Sequence, residues 1–306
     1  MARRDARGTR VVPYGRGENR LGWPPSVVPG VTKPVIEIRG GRGRASRGAL
    51  QELWWFRELL AVFAARAVKV KYKQAAVGIG WAFLQPLLSA AVFALFLGRL
   101  ADVSSEGAPY FLFALAGMVA WTYFSTAMGM SMNSLVDDQV LLRKVYFPRE
   151  VLPLASVSAA LVDFAAGLVI LGVVAGLYGM LPAVSWFLLP IPILILVLAA
   201  TGVGIAFSAV NVYYRDVRYA LPFFLQLGLF VSPVVYSLEV IPDPWRTVYT
   251  IGNPVAAAID AIRRIVVHHS VPDLLTTAGA LAWAALLVVA SYTLFKRLER
   301  SFADRV

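Results

Sequence analysis

The sequence predicts an all-α integral membrane protein with six transmembrane helices, an amphipathic helix ahead of them and short helices at both faces. Three observations carry this. The chain is 58% hydrophobic and only 15% charged, with a mean hydropathy of +0.67, outside the range of soluble domains. Its charges are clustered, which leaves uncharged windows long enough for the about 20 residues a membrane helix needs. Its Lys and Arg residues fall mostly on one side of those windows. The chain has no cysteine, so disulfides, thiolate metal sites and thiol catalysis are excluded. The net charge is +11, concentrated ahead of residue 75. A basic flank beside apolar spans points to anionic lipid at a cytoplasmic face, not to nucleic acid.

Residues 1–50 contain runs such as PYGRGENRLGWPPSVVPG, rich in Gly, Pro and Arg without an apolar period. A disordered basic tail is expected there. No apolar core follows the basic start, so no signal peptide is expected. Residues 51–80 open with ELWWFRELLAVFAARAVKVKYK. Phe56, Leu59, Phe63, Ala67 and Val70 form an apolar stripe at helical spacing. Arg57, Glu58, Arg66, Lys69 and Lys73 supply the polar side. That pattern predicts a basic amphipathic helix lying in the membrane interface, with Trp54 and Trp55 at headgroup depth.

The remainder, 81–306, reads as one membrane domain. Its spans are expected near 81–99, 109–132, 151–178, 186–210, 219–238 and 274–295. Residues 151–214 carry Asp163 as their only charge and are too long for one helix; YGMLPAVSW, with Pro182, supplies the break. Six spans put both termini on one side. The basic N-terminal region, Arg143, Lys144, Arg149, Arg215, Arg218, Lys296, Arg297, Arg300 and Arg305 share that side. Arg99, Arg246, Arg263 and Arg264 lie opposite, so both termini are predicted to be cytoplasmic. Between the fifth and sixth spans, VYTIGNPVAAAIDAIRRIVV holds apolar pieces too short or too charged to cross. They read as short helices dipping in from the outer face, or as a plain outer loop. Asp260 and Arg263 there have the spacing of a helical ion pair. His268 and His269 have no third ligand in view, so no metal is expected.

DDQVLLRKVYFPRE, from Asp137, joins the second and third spans. Ser134 can cap a helix with Asp137 as its partner. Asp137 and Asp138 suit the positive end of the helix, Arg143 and Lys144 the negative end, and Pro148 stops it. The helix would carry Leu141, Leu142, Val145 and Tyr146 to the cytoplasmic face, where they either dock into a partner's groove or pack locally. Asp163, an acid inside a span, is a functional candidate by default; Ser156, Ser158 or a neighbouring helix could also satisfy it structurally.

RAVKVKYKQAAVGIGWAFLQP, KVYFPRE, NVYYRDVRYALPFFLQ, SPVVYS, GNPVAAAIDAIR and the terminal FAD occur in this order along residues 52–304. Together they resemble the membrane subunit of ABC-2 type transporters, in the branch that exports O-antigen, teichoic acid and related cell-envelope polysaccharides. Ala67 stands where that family often has Asp, Asp138 where it often has Asn, and Ala75 where Ser is common. The resemblance implies a permease subunit, not an enzyme, in the cytoplasmic membrane. Two copies of this chain would form the pore, and two copies of a P-loop ATPase would bind ATP and Mg. This sequence contains no G-x-x-x-x-G-K-[ST] stretch, in keeping with that division.

The resemblance also assigns the helix of Asp137, Asp138, Leu141, Arg143, Lys144 and Tyr146 as the coupling helix seated on the ATPase. It implies a channel lined by aromatic residues that stack on sugar rings, for which Trp121, Tyr123 and Phe124 are the first candidates. Arg215 and Asp216 either pair locally with Arg218 or meet the diphosphate of a lipid-linked substrate. Asp260 and Arg263 would hold the outer gate. The cargo expected is a lipid-linked polysaccharide of O-antigen, teichoic acid or cell-wall galactan type. An ABC-2 exporter of small hydrophobic compounds is the alternative, and a membrane-embedded glycosyltransferase a more distant one, since it would need an acid or metal cluster that the scattered acids do not make.

Overall fold

Once water is excluded, each backbone N–H and C=O must find its partner within the chain, so long uncharged stretches become long helices. The computed structural model describes residues 54–73, 78–145, 147–180 and 182–299; the basic tail and Tyr146 lie outside them. Every regular element among the described residues is helical. In chain order they are α1 (Arg57–Tyr72), α2 (Gly80–Phe93), α3 (Tyr110–Asp137), α4 (Gln139–Lys144), α5 (Val151–Leu177), α6 (Pro190–Tyr213), α7 (Val217–Val231), α8 (Asp243–Gly252), α9 (Pro254–Val266) and α10 (Leu274–Glu299). α2 continues as π-helical turns over Ala94–Leu100, and a 3-10 turn, Val184–Leu188, leads into α6. Five segments are long and apolar enough to cross a membrane: Gly80–Leu100, Tyr110–Asp137, Val151–Leu177, Val184–Tyr213 and Leu274–Glu299.

α3 is the central helix. It is apolar on every face and buries residues along its whole length, packing against α5, α6, α2 and α9. Small residues set the spacing. A Cβ on Gly167 of α5 would sit 2.9 Å from Val119, and one on Gly202 of α6 would sit 3.1 Å from the α10 backbone at Leu287 and Val288. Without a hydrophobic drive between helices in lipid, such close backbone approach supplies much of the association. α5 ends at Leu177, the turn after it passes through Gly179, whose φ of +79° suits a residue without Cβ, and Pro182 follows, so the break falls where the sequence places it.

The fifth expected span, 219–238, is helical only over its first part. α7 stops at Val231, and its 15 residues rise roughly 22 Å, short of a bilayer core of about 30 Å. The cause is Pro233. It drives Ser232 into extended backbone (φ −86°, ψ 136°) and has no N–H to offer. Residues 232–235 and 237 are nonetheless buried, which non-helical backbone tolerates only inside protein.

The helix ends form a base and a crown. At the base, Leu135, Phe147, Val151, Leu152, Ile205, Ala209 and Phe295 make an apolar cluster joining α3, α5, α6 and α10. At the crown, α9 is sunk among α3, α6 and α10, with all but two of its residues buried. Its start is capped by Asn253, whose side chain accepts from Ala256 N at 3.1 Å, with Pro254 at the first helical position.

Candidate functional site at the base

The break between α3 and α4 falls at Asp138 (φ −100°, ψ 25°). Its carbonyl accepts from Leu141 N at 3.0 Å and Leu142 N at 3.2 Å, which starts the six-residue α4. Val145, in extended backbone, ends it. Ser134 is not the cap: it belongs to α3 and its hydroxyl donates to Ser131 O at 2.7 Å, because α3 runs on to Asp137. The two acids also have other work than facing a helix dipole. Asp138 pairs with Arg66 of α1 at 3.1 Å, and Asp137 with Arg218 of α7 at 3.8 Å. Both pairs are largely exposed, so each contributes about 0–1 kcal/mol. They fix where α4 begins relative to two other elements.

Leu141 and Leu142 pack down on the basal cluster, while Val140 (65% exposed), Val145 and Lys144 face outward. Arg143 lies within α4; Tyr146 is outside the described residues. α4 therefore presents an apolar and cationic edge from a seat held by leucines.

α1 packs on α5. Phe56, Leu59 and Phe63 of the expected stripe reach the basal cluster, joined by Leu60, and Phe63 meets Phe147 with ring centroids 5.4 Å apart. Val70 departs from the stripe and is exposed. The helix does not lie across the base. From the Phe63–Phe147 contact it follows α5 up to Asp163, where Lys71 Nζ and Tyr72 OH both donate to the carboxylate. Burial, the hydrogen bond to Asp163 and its charge push the Tyr72 hydroxyl well above the usual tyrosine value, so it remains a donor. Ser156 and Ser158 instead donate to their own helix, at Leu152 O and Leu154 O. Lys71 and Tyr72 were missed because an amphipathic stripe gives no sign that the residues just off it reach inward. Arg57 lies over the Trp54 ring at 4.7 Å; Glu58, Lys69 and Lys73 are exposed. Between α1, α3 and α5 lies a cavity of about 580 Å³, lined by Phe63, Arg66, Lys71, Asn133, Asp137 and Asp138 among others.

Three further expectations are corrected. Trp121, Tyr123 and Phe124 are 6%, 1% and 8% exposed. Tyr123 stacks on Phe164 at 4.7 Å, and Trp121 lies against Phe124 and over Gly228. They are core, because α3 is enclosed on all sides. Exposed aromatic residues occur on several elements, and α7 carries four of them, Tyr219, Phe223, Phe224 and Phe230. Secondly, Asp260 pairs with Arg264 at 2.7 Å, one helical position beyond Arg263. Arg263 turns inward and is 2% exposed. It donates to Phe113 O (3.2 Å), Pro233 O (2.8 Å), Tyr236 O (3.1 Å) and Val234 O (2.5 Å), with its guanidinium over the Phe113 ring. It thereby ties the irregular segment after α7 to the start of α3. A Cβ at Gly117 would fall 2.2 Å from Val234 O, so glycine is required there. Thirdly, FPRE does more than end a helix: Glu150 is 1% exposed and meets Lys296 and Tyr292 of α10.

The ABC-2 type transporter family profile matches residues 58–267, from α1 to the end of α9. The chain is 29% identical over 258 residues to the O-antigen export system permease protein RfbA of Myxococcus xanthus, covering 84% of this chain and 98% of that protein. Two Klebsiella pneumoniae proteins of the same name are 27% and 26% identical over 252 residues, covering 81% of this chain and 94% of each. With the family match extending over most of the chain, this multi-pass membrane protein belongs to the ABC-2 type transporter family.

Proposed function

We propose that the chain is the permease subunit of an ATP-driven exporter moving a lipid-linked cell-envelope polysaccharide across the cytoplasmic membrane. The observation that carries this is α4, a charged helix seated between two spans at the base, in a chain whose curated relatives are named O-antigen export permeases. Two copies would form the pore and two copies of a separate P-loop subunit would hydrolyse ATP with Mg. The outward edge of α4, from Val140 to Val145, would dock on that subunit, with Asp137 and Asp138 anchoring its seat. α7 together with the buried segment 232–237 completes a sixth crossing, which leaves both termini cytoplasmic. Residues 1–50 then form a cytoplasmic tail, 51–80 the entry region and 81–306 the transmembrane domain. The aromatic candidates for sugar stacking pass from α3 to Tyr219, Phe223 and Phe224 of α7, whose rings the single chain leaves uncovered.

The test is co-purification with a P-loop ATPase subunit of the same cell. The complex should hydrolyse ATP, and cells lacking this chain should accumulate lipid-linked glycan on the cytoplasmic side. Lys144→Glu combined with Tyr146→Ala should leave the chain inserted but separate ATP hydrolysis from export. Unchanged export in that variant would reject α4 as the coupling element, and ATP hydrolysis by the purified chain alone would reject the two-subunit division.

A further inference from the structure

The last four residues of the connector between α4 and α5, Phe147 to Glu150, lie against the base. Val151 N donates to Pro148 O at 3.1 Å and Leu152 N to Arg149 O at 3.3 Å. Phe147 and Glu150 within it are 5% and 1% exposed. This described part buries both a ring and a carboxylate, and it places Glu150 a few residues beyond the end of α4. The surroundings of Glu150 are those of the apolar basal cluster, where a carboxylate is costly unless it is paired. Its partners come from α10. Lys296 Nζ lies 2.9 Å from Oε1 and 3.0 Å from Oε2, and Tyr292 OH donates to Oε1 at 3.3 Å. Tyr292 and Lys296 are four residues apart, on one face of α10, so Glu150 grips two successive turns. Lys296 is steadied in turn by Glu299 at 3.0 Å.

Adhesion alone would be served as well by an apolar side chain of similar volume. A charge pair does something else. The ammonium is a compact point charge held by both carboxylate oxygens, so the pair resists separation while allowing the helices to pivot. α10 then acts as a rod from base to crown. It runs against the α6 backbone at Gly202 and meets α8 where a Cβ on Gly279 would fall 2.8 Å from Ile251.

We infer that Glu150 is a positioning residue for transport, a pivot that passes motion of α4 to α10 and through it to the crown elements around α8. This rests on the exporter reading and on α4 as the docking helix. The route to α10 branches at Glu150 from the continuation of α4 into α5.

The experiment uses the whole complex with its ATPase, with surface glycan per cell and ATP hydrolysed by the purified complex as paired readouts. Glu150→Gln, alone and combined with Lys296→Met so that no unpaired carboxylate is left buried, should leave membrane insertion, complex assembly and ATP hydrolysis within about twofold while export falls about tenfold, a coupling loss of ordinary allosteric size. The chain has no native cysteine, so Glu150→Cys with Lys296→Cys can be bridged by a short bis-methanethiosulfonate reagent. Bridging should restore export above the unbridged double variant, and reductant should remove the gain. The inference is overturned if these two variants export at the wild-type ratio to ATP hydrolysed, if insertion, hydrolysis and export fall in parallel, or if bridging abolishes what export remains. A wild-type complex that hydrolyses ATP without moving glycan would overturn the exporter reading itself.

Discussion

Replacing Arg263 with methionine should destabilise the protein severely, whereas the same change at Arg264 next to it should barely register. Arg263 donates to four main-chain oxygens, of which those of Phe113, Pro233 and Val234 are buried and that of Tyr236 partly buried. A buried carbonyl that loses its donor costs about 1–3 kcal/mol, so three cost roughly 3–9 kcal/mol. Removing the guanidinium returns its own desolvation, several kcal/mol, and leaves a net loss of about 3 kcal/mol. At about 2–4 °C per kcal/mol, the melting temperature should drop by about 6–12 °C. Arg264 makes one partly exposed pair with Asp260, worth about 0–1 kcal/mol. The assay is heating of the detergent-solubilised protein, followed by tryptophan fluorescence and by loss of the monodisperse peak. Arg263→Lys should fall between, since one ammonium cannot reach oxygens spread from Phe113 to Tyr236. The reasoning fails if Arg264→Met is the more damaging change, or if Arg263→Met shifts the transition by less than about 2 °C.

Lys71→Met leaves the nearly buried Asp163 carboxylate with Tyr72 alone and should cost about 3 kcal/mol, with Asp163→Leu in the same chain recovering much of it; losses that simply add would refute the pairing. Thr276 donates from its main-chain N–H and its hydroxyl to Asp273 Oδ2, both at 2.9 Å, which holds that carboxyl below its usual 3.8. Because the folded value is the lower one, the cap contributes fully above the ordinary carboxylate pKa and fades as pH falls through the folded value. Asp273→Ala should therefore loosen the first turn of α10 by about 1 kcal/mol at neutral pH, a difference from wild type that closes on acidification, while Asp273→Asn keeps the cap; hydrogen exchange at Thr276 and Thr277 reads both. Tyr219→Ala and Phe223→Ala should reduce glycan export with the melting temperature unchanged, whereas Tyr123→Ala should cost about 3–5 kcal/mol by opening a core cavity. Full export by the first two variants would sink the assignment of the stacking surface to α7.

Five of the long helices were legible because a missing charge over twenty or more residues leaves a chain in lipid little choice. The segment after α7 was not, because hydropathy counts SPVVYS as apolar and cannot register that Pro233 lacks an N–H or that Arg263 supplies the missing donors from another helix. The choice between Arg263 and Arg264 for Asp260 was open for a similar reason: i+3 and i+4 both lie on one face, and only burial separates them. α3 did carry a signal that could have placed its aromatics. A helix apolar on every face is buried on every face, so Trp121, Tyr123 and Phe124 had no open side to offer a channel. Glu150 was hidden by its neighbour: beside Pro148 it reads as part of a stop, while its partners lie about 140 residues further on, at Tyr292 and Lys296.

Small residues and charges divide the work of holding the helices. In the middle of the molecule Gly167, Gly202 and Gly204 set how closely the helices approach, and dispersion between apolar surfaces of this kind has little preference for one register over the next. At the two ends the contacts are directional. Arg66, Arg218 and Lys296 each take a named carboxylate at the base, Asn211 donates across to Met132 O at 3.0 Å, and Arg263 takes the turn carbonyls at the crown. Among the long helices, middle contacts that tolerate small slips, with ends that do not, favour tilting about the centre over sliding or unpacking, and the directional contact at mid-height is made by α1 on Asp163. Tilting is the motion that would let a push on α4 at the base open the elements around Arg263 at the crown without exposing a single buried carbonyl between them.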